Sequence, residues 1–352
     1  MINKNFWKGK KVFLTGHSGF KGSWLAFILN FFGAEVTGYS LKPPTQPNLF
    51  SLIELNKKIC SVEGDVRDFE RLKKTFDTCK PEIVFHLAAQ PIVLEGYKNP
   101  AATYETNVMG TVNILECVRK SSSVKSFLNV TTDKVYKNRE WFWGYRETDI
   151  LDGIDPYANS KSCSELVTET YRRSFFQDSK VAISTSRAGN VIGGGDFADF
   201  RIIPDCVRAA LAKEKISVRN PNSIRPYQHV LDPLFAYMMI AEKQFEDKNF
   251  ADCYNVGPNE EDCITTEKLV EIFCNSWGEN LSWESLQKNL PHEANFLKLD
   301  CSKIKSVFNW SPKWNIKTAV EKTVEWTKIY RAGKNISECM EMQIKNFMEE
   351  KS

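Results

Sequence analysis

The chain has 352 residues, of which 42% are hydrophobic and 26% are charged, and its net charge is +3 at pH 7. This composition is ordinary for a globular protein, and the length allows one large domain or two modest ones. The nearly neutral charge gives no basic patch for nucleic acid, and no stretch approaches the roughly 18 apolar residues of a membrane span.

The cysteines and the N-terminus indicate the cellular compartment in which the protein is expected to work. Ten cysteines are scattered along the chain, and no pair has the short spacing of a metal knuckle or a redox motif. The first residues lead into a strand without the apolar core of a signal peptide. We therefore expect a cytoplasmic protein with free thiols, no metal, no nucleic-acid partner and no membrane partner.

The first half alternates short apolar strands with amphipathic helices. Several strands are nearly continuous apolar runs, as expected for a parallel sheet that is covered by helices on both faces. Predicted strands span 11–15, 35–39, 59–64, 83–88, 126–131 and 181–186, and predicted helices span 22–32, 68–79, 101–120 and 157–176. The alternation predicts an α/β fold with a doubly wound, Rossmann-type parallel sheet, whose ligands lie at the carboxyl ends of the strands.

The regular alternation of strands and helices ends after about residue 187. Three consecutive glycines at 193–195 and several later prolines indicate loops between smaller elements. We predict a first domain over 1–187 and a smaller C-terminal domain over 188–352, with segments near 252–257 returning to the first domain.

A glycine-rich loop follows the first strand. Gly16, Gly19 and Gly22 form a G-x-x-G-x-x-G pattern that allows a tight turn and lets a pyrophosphate rest on a helix N-terminus. The loop therefore predicts that residues 1–187 bind a dinucleotide. The loop also contains four candidate contacts to the dinucleotide, namely His17, Ser18, Phe20 and Lys21. Lys21 would fit a solvated helix position equally well.

The ends of the next strands suggest contacts for the rest of the cofactor. No carboxylate follows the second strand to hold a ribose, so Ser40 or Lys42 is the candidate there, and Lys42 would tolerate the 2′-phosphate of NADP. NAD is preferred over NADP without being required. Asp65 can accept a hydrogen bond from the adenine, although an ordinary turn explains it equally. The remaining cofactor candidates near these strand ends are Val66, Leu87, Ala88, Ala89 and Thr106.

The stretch DPYANSK contains the most informative pattern. Tyr157 and Lys161 lie one helical turn apart, and a fixed ammonium beside a phenol is expected to lower the pKa of the phenol. Such a tyrosine can take a proton from an alcohol whose carbon gives up hydride. The spacing alone is weak, because Tyr330 and Lys334 repeat it. Thr132, about 25 residues before Tyr157, completes a Thr–Tyr–Lys triad and makes the joint pattern strong.

Asp133 and Lys134 follow the triad threonine directly. Simple hydride transfer does not need them, so two ionisable groups there suggest a second proton-transfer task in the same site. A turn with surface charges is the alternative explanation.

Several blocks of the sequence together resemble a known family. The blocks are TGHSGFKG, LAAQP, TTDKVY, REWFWGYRE, DPYANSK, RAGNVIGGGD, SIRPYQHV and PHEANFLKLDCSK. They resemble the CDP-glucose 4,6-dehydratases of the extended short-chain dehydrogenase/reductase and NAD-dependent epimerase/dehydratase family, over 11–314. Thymidine-linked glucose dehydratases typically have Thr-Asp-Glu where this chain has Thr-Asp-Lys, so Lys134 favours the cytidine branch.

The resemblance implies a reaction in which NAD is reduced and then regenerated. Tyr157 would deprotonate the C4 hydroxyl of the hexose, Thr132 would bind that oxygen, and Lys161 would hold the nicotinamide ribose. Asp133 would protonate the departing C6 hydroxyl, giving a 4-keto-6-deoxy sugar. Lys134 stands where relatives have a glutamate base for the C5 proton. An ammonium cannot accept a proton, so Lys134 would serve as that base only in its neutral form, and stabilisation of the enolate is the alternative role.

The resemblance also implies a nucleotide-sugar site in the C-terminal domain and a homodimer or homotetramer that pairs helices 101–120 and 157–176. The candidate substrate residues are Gln90, Asn190, Arg201, Arg219, Arg225 and His292. For Arg201 and Arg219 a surface ion pair is an equally good interpretation.

Three other functions stay open at this point. A 4-epimerase of the same fold would need no acid and base beside Thr132, and another dehydratase could act on dTDP-glucose or GDP-mannose. A dinucleotide-sensing protein without catalysis is a remote alternative, because such proteins often lose part of the triad.

Overall fold

A computed structural model describes residues 2–286 and 296–350 of the chain. The strands are β1 (Lys11–Thr15), β2 (Glu35–Ser40), β3 (Cys60–Glu63), β4 (Ile83–His86), β5 (Ser126–Val130), β6 (Ala182–Arg187), β7 (Val191–Ile192), β8 (Ile216–Val218), β9 (Ile224–Pro226), β10 (Gln228–His229), β11 (Cys253–Asn255), β12 (Cys263–Thr265) and β13 (Trp283–Ser285).

The α-helices lie between these strands and after them. They are α1 (Lys4–Trp7), α2 (Phe20–Phe31), α3 (Leu49–Leu52), α4 (Phe69–Cys79), α5 (Val93–Lys98), α6 (Pro100–Tyr104), α7 (Gly110–Arg119), α8 (Pro156–Phe175), α9 (Ile202–Ala212), α10 (Leu231–Glu246), α11 (Thr266–Trp277), α12 (Ser302–Phe308), α13 (Ile316–Arg331) and α14 (Ile336–Glu349).

Within the described residues, the central sheet has seven parallel strands in the order β11-β6-β5-β4-β1-β2-β3. The order reverses direction between β1 and β4, which is the point where a doubly wound sheet opens a crevice for a ligand. The predicted α/β fold with a Rossmann-type parallel sheet is therefore confirmed. The predicted helix over 101–120 is interrupted, because a π-helical turn, Glu105–Met109, separates α6 from α7.

Each face of the sheet has its own hydrophobic core. On one face, α2, α10 and α14 bury side chains such as Trp24, Leu234 and Met340 against β1 and β5. On the other face, α4 and α7 bury Phe76 and Ile114 against β4 and β5. Continuous apolar strands are needed here because both sides of the sheet are covered.

The C-terminal half contributes to two cores. A separate cluster joins α9, α11 and α13 around residues such as Val207, Phe273 and Val320. The helix α10 instead packs on the first sheet, where Ala241 accepts a hydrogen bond from Ser126 Oγ at 2.9 Å. The strand β11 pairs with β6 of the first sheet. The return of 252–257 to the first domain stays a prediction. The domain boundary at 187 stays a prediction.

Three further observations concern expected features of the chain. Each of the ten cysteines, all of which lie within the described residues, is a free thiol. Across 2–286 and 296–350, no helix is long and apolar enough to cross a membrane. The same residues contain no group of three or more histidine, cysteine or acidic side chains that could hold a metal ion.

Candidate active site

The glycine loop between β1 and α2 is built from close backbone contacts. Gly16 has a φ of +78°, and a Cβ atom there would lie 2.7 Å from the backbone nitrogen of Ala88. A Cβ atom at Gly22 would lie 2.0 Å from the carbonyl oxygen of Gly16. Gly19 caps α2 without a side-chain hydrogen bond, and the first turn of α2 has no acidic residue. The exposed N–H groups of this turn suit an anionic pyrophosphate.

Both nitrogens of the His17 ring bond serine side chains. Its Nε2 atom bonds Ser61 Oγ at 2.7 Å and its Nδ1 atom bonds Ser40 Oγ at 3.1 Å. The ring fills the space over Gly38, where a Cβ atom would lie 2.3 Å from the ring. Burial lowers the pKa of His17 to about 4, so the ring is neutral near pH 7. A contact of this side chain with the phosphates stays a prediction, and it would require one of the two serine bonds to break.

The other cofactor candidates surround the ends of β2, β3 and β4. Ser40 lies in a hydroxyl cluster and donates to Ser18 Oγ at 2.9 Å. The carboxylate of Asp65 pairs with Arg67 at 2.6 Å, and this hydrogen-bonded guanidinium lowers the pKa of Asp65. The remaining candidates at these ends are buried or half-buried: Phe20, Val66, Leu87, Ala88, Ala89 and Thr106.

The helix α8 presents the tyrosine and the lysine of the triad. Asp155 caps this helix by accepting from the Ala158 backbone N–H at 2.9 Å, and Pro156 occupies the first turn. Tyr157 is 9% exposed and Lys161 is 3% exposed. The amine of Lys161 donates to the Val130 carbonyl at 3.0 Å, which ties α8 to the end of β5.

The electrostatics of Tyr157 differ from the prediction. Burial raises the pKa of Tyr157 above its ordinary value, and this effect exceeds the lowering by Lys134, Thr132 and Arg201. The expected net lowering by Lys161 was therefore wrong, because desolvation of the phenolate outweighs the nearby positive charge. Burial also lowers the pKa of Lys161 to about 8, although Glu165 opposes this shift.

The turn after β5 places Thr132 and Asp133 beside the phenol. A hydrogen bond joins Thr132 and Tyr157, and Thr132 Oγ1 also donates to Asp133 Oδ1 at 2.9 Å. Asp133 is completely buried. Its second oxygen accepts from Asn190 Nδ2 at 3.0 Å, and Lys134 Nζ lies 3.4 Å from the first. The structure therefore brings Thr132, Asp133, Lys134 and Tyr157 together. Lys161 lies one turn further along α8, where its amine bonds the Val130 carbonyl.

Two cations named in the sequence analysis lie beside this cluster in an environment that the sequence did not predict. Lys21 was considered only as a phosphate donor or a solvated residue, yet burial together with Lys161 and Arg201 lowers its pKa to about 7. Arg201, a candidate substrate ligand, neighbours Tyr157 and bonds Asp196 at 2.9 Å. The position of Lys21 in the loop motif is the signal that could have indicated a buried lysine.

A buried ion pair links the helix that carries Tyr157 to the ends of the neighbouring strands. Arg187 Nη2 lies 2.9 Å from Glu165 Oε2, and both side chains are less than 5% exposed. The carboxylate of Glu165 also accepts hydrogen bonds from the hydroxyls of Thr131 and Thr185. Arg187 extends the network to the Tyr136 hydroxyl at 2.8 Å. These contacts link α8 to the ends of β5 and β6.

The remaining substrate candidates have no described contact with Tyr157, Thr132 or Asp133. The side chain of Gln90 bonds Thr103 Oγ1 at 2.9 Å and the Ile92 backbone N–H at 2.6 Å, so its amide serves internal contacts. Arg219 pairs with Asp205 at 2.9 Å, as the alternative interpretation anticipated. Arg225 is buried in β9. His292 lies outside the described residues.

Comparison with known proteins identifies the family. The model of the GDP-mannose 4,6 dehydratase family matches residues 13–323. The chain is 47% identical to CDP-glucose 4,6-dehydratase of Salmonella typhimurium, and the alignment covers 99% of both chains. The chain belongs to this dehydratase family. The resemblance predicted from the sequence blocks is therefore confirmed.

More distant dehydratases and epimerases share the fold. The chain is 28% identical to CDP-paratose 2-epimerase of Salmonella typhi over 90% of this chain and 99% of the relative. UDP-glucose 4-epimerase of Thermotoga maritima superposes with a TM-score of 0.79 at 24% identity, covering 91% of this chain and 99% of the epimerase. The dTDP-glucose 4,6-dehydratase of Bacillus anthracis, solved with NAD, gives 0.76 at 21% identity, with 94% and 100% covered.

The close contact between Gly22 of α2 and the backbone of Gly16 can be tested by two alanine substitutions. We expect Gly22→Ala to lower the free energy of unfolding by about 3 kcal/mol, because the new methyl overlaps the backbone of Gly16. Gly19→Ala is the matched control, since its methyl would lie 3.5 Å from the same oxygen, and it should cost about 1 kcal/mol or less. Chemical denaturation measures the free energy of unfolding of both variants. Equal decreases would contradict the close contact between Gly22 and Gly16.

Proposed function

We propose that this protein is an NAD-dependent nucleotide-sugar 4,6-dehydratase that converts CDP-glucose to CDP-4-keto-6-deoxyglucose and water. The observation that favours this reaction is the buried cluster of a tyrosine, a threonine and an aspartate at the end of β5. An alcohol oxidation needs only the first two, whereas loss of water needs an acid as well. The 47% identity to a CDP-glucose 4,6-dehydratase supports the same substrate.

We propose NAD as the cofactor, because the glycine loop fits a dinucleotide. A Cβ atom at Gly16 would overlap the backbone of Ala88. The absence of a side chain at Gly16 therefore lets the loop pack against the end of β4, at the switch point of the sheet. The residues that would surround the cofactor are Gly16, Gly19, Phe20, Ser40, Asp65, Val66, Leu87, Ala88, Ala89, Thr106, Tyr157 and Lys161. When bound, NAD supplies the acceptor for the hydride of C4 and the donor of the hydride to C6.

In the first half of the reaction, Tyr157 removes the proton of the C4 hydroxyl. This step requires the phenolate form of Tyr157, which burial opposes because it raises the pKa of the phenol. The positive charges of Lys134 and Arg201 favour the phenolate, and the Thr132 hydroxyl, which donates to Asp133 in this structure, would turn to donate to the reacting oxygen. Lys161 holds the end of α8 against β5 through the Val130 carbonyl and is placed to bind a ribose hydroxyl.

In the second half, the C4 ketone acidifies the C5 hydrogen and water leaves across C5 and C6. Asp133 donates the proton that the C6 hydroxyl needs in order to leave as water. Its complete burial removes competing solvent from this step. Lys134, whose amine is 3.4 Å from Asp133 Oδ1, stabilises the negative charge of the enolate or accepts the C5 proton in its neutral form.

The reaction itself is tested with a panel of CDP-, dTDP-, UDP- and GDP-hexoses in the presence of NAD. We expect turnover of CDP-glucose to a 4-keto-6-deoxy product with no net NADH, identified by mass spectrometry and by its absorbance in alkali. Tyr157→Phe should lower kcat at least about 10²-fold, because the general base is lost. Formation of CDP-galactose, or stoichiometric NADH, would instead indicate an epimerase or a simple dehydrogenase.

The role of Lys134 is tested by exchange of the C5 hydrogen with solvent deuterium. If Lys134 transfers this proton, Lys134→Met should slow the exchange by about 10²-fold or more, since a thioether accepts no proton. Lys137→Met, which removes an exposed lysine paired with Asp152, is the matched control and should leave the exchange unchanged. Exchange at the wild-type rate in Lys134→Met would exclude any proton transfer by Lys134.

We also propose a homodimer or homotetramer that works in the cytoplasm and supplies deoxysugars for surface polysaccharide. Large apolar side chains lie exposed on the candidate pairing helices, namely Leu166 and Phe175 on α8 and Met109 beside α7. Such side chains are expected at an interface between copies of the chain. The cytoplasmic location agrees with the ten free thiols.

The proposed helix pairing makes a prediction for the mass in solution. We expect Leu166→Glu to give single chains in sedimentation experiments, because the new carboxylate would be buried in the interface. Val307→Glu introduces the same charge at an exposed position of α12 and should leave the assembly intact. A wild-type protein with the mass of one chain would contradict the proposal.

A further inference from the structure

Two cysteines lie beside one threonine at the amino-terminal end of the central sheet. Cys60 is the first residue of the edge strand β3, and it is paired with Thr37 of β2 in the parallel ladder. Cys79 is the last residue of α4, and a hydrogen bond joins its thiol to the Thr37 side chain. The two cysteines are therefore neighbours in space, although they belong to different elements of the chain.

The alternation of side chains along β3 places both thiols on the same face of the sheet. Val62 of β3 packs against the hydrophobic core that α4 and α7 cover, and Cys79 packs against the same core. Every second residue of a strand points to the same face, so Cys60 shares the face of Val62. The Cys60 thiol thus lies on the side of the sheet that carries the end of α4.

The two thiols line a surface cleft of about 500 Å³. Its walls come from the amino ends of β1, β2 and β3 and from the end of α4. Cys60 is exposed and Cys79 is half-buried, so a small reagent from solvent reaches Cys60 first. The glycine loop and the cofactor candidates lie at the opposite, carboxyl ends of these strands. The cleft is therefore separate from the candidate active site.

The environment of Cys79 indicates the order in which the thiols react. Burial raises the pKa of the Cys79 thiol, and the neighbouring Cys60 adds to this rise. The hydrogen bond with Thr37 and the positive charge of Lys11 oppose it. An effect of Cys60 on Cys79 agrees with their placement beside one threonine, because such effects decrease with distance. A protonated thiol is a weak nucleophile, so Cys60 is the thiol that reacts first.

We propose that Cys60 and Cys79, here named the 60/79 dithiol, are a modification site at which hydrogen peroxide forms a reversible disulfide between β3 and α4. In the first step the Cys60 sulfur attacks peroxide and the O–O bond breaks. Hydroxide leaves with the thiol proton as water, and a sulfenic acid remains. In the second step the Cys79 sulfur attacks the Cys60 sulfur, the S–O bond breaks, and hydroxide leaves with the Cys79 proton as water.

The disulfide would tie the edge strand to the helix that covers it. The strand β3 is hydrogen-bonded to β2 and, among the residues that the structure describes, to no other strand. Three of its four residues are exposed, and a strand with so few buried contacts opens more readily than a central one. The reversible link therefore restricts opening at this end of the sheet. The inference does not depend on the proposed reaction, because neither thiol belongs to the proposed active site.

The disulfide is tested by peptide mapping of the full chain after treatment with hydrogen peroxide. Free thiols are alkylated, and trypsin, which cleaves after lysine and arginine but not before proline, releases Cys60 in peptide 59–67 and Cys79 in peptide 75–98. We expect the two peptides to be joined, with two hydrogen atoms fewer than their sum, and dithiothreitol to separate them. Recovery of the peptides unjoined, whether alkylated or further oxidised, would overturn the proposal.

A serine substitution tests the order of the steps, with dimedone present to trap sulfenic acids. In Cys79→Ser no neighbouring thiol can resolve the Cys60 sulfenic acid, so the dimedone adduct of Cys60 should increase by about tenfold over the wild type. Cys263→Ser removes a half-buried thiol of β12 and is the matched control, which should keep the joined peptides. Equal amounts of the Cys60 adduct in Cys79→Ser and in the wild type would contradict the second step.

Discussion

The buried pair of Glu165 and Arg187 fixes the geometry on which the site depends. Two opposite charges inside a protein are stable only when further hydrogen bonds satisfy them. Here the hydroxyls of Thr131 and Thr185 complete the shell of Glu165, while the Tyr136 hydroxyl accepts from Arg187. Because Glu165 lies on α8 one turn after Lys161, the pair links α8 to the end of β6, and the bond from Thr131 links it to the end of β5. The removal of one partner is expected to cost about 3–5 kcal/mol.

The same burial determines the charge states around the phenol. It raises the pKa of Tyr157 and lowers the pKa of Lys161 to about 8 and that of Lys21 to about 7. All three shifts favour the neutral form of the group. A bound pyrophosphate would bring negative charge close to the lysines and so favour their protonated forms. Burial thus reduces the positive charge of the two lysines relative to lysines in water, and anionic ligands would restore it.

Much of the fold follows from local sequence patterns. Largely apolar runs such as 83–86 and 126–130 mark strands that are covered on both faces, and the glycines between β1 and α2 mark the dinucleotide loop. The spacing of Thr132 and Tyr157 was enough to predict that these two side chains lie together. These features are local or depend on the ends of neighbouring parallel strands, which is why the sequence reveals them.

The remaining features depend on contacts between distant residues. The His17 ring turns inward because Ser40 and Ser61 take both of its nitrogens, and nothing in the loop motif specifies those partners. The contact of Asn190 with Asp133 depends on how the chain returns after β6. The π-helical turn that divides the predicted helix 101–120 has no signal in the spacing of apolar residues. Burial also reversed the expected shift in the pKa of Tyr157.

The central claim is that the buried groups at the end of β5 meet one sugar ring at two of its oxygens. A crystal structure with NAD and a non-reactive CDP-hexose tests this most directly. We expect the Tyr157 hydroxyl within about 3.2 Å of the C4 oxygen and an oxygen of Asp133 at the same distance from the C6 oxygen. A sugar bound with C4 remote from the phenol, or with C6 remote from Asp133, would contradict the account.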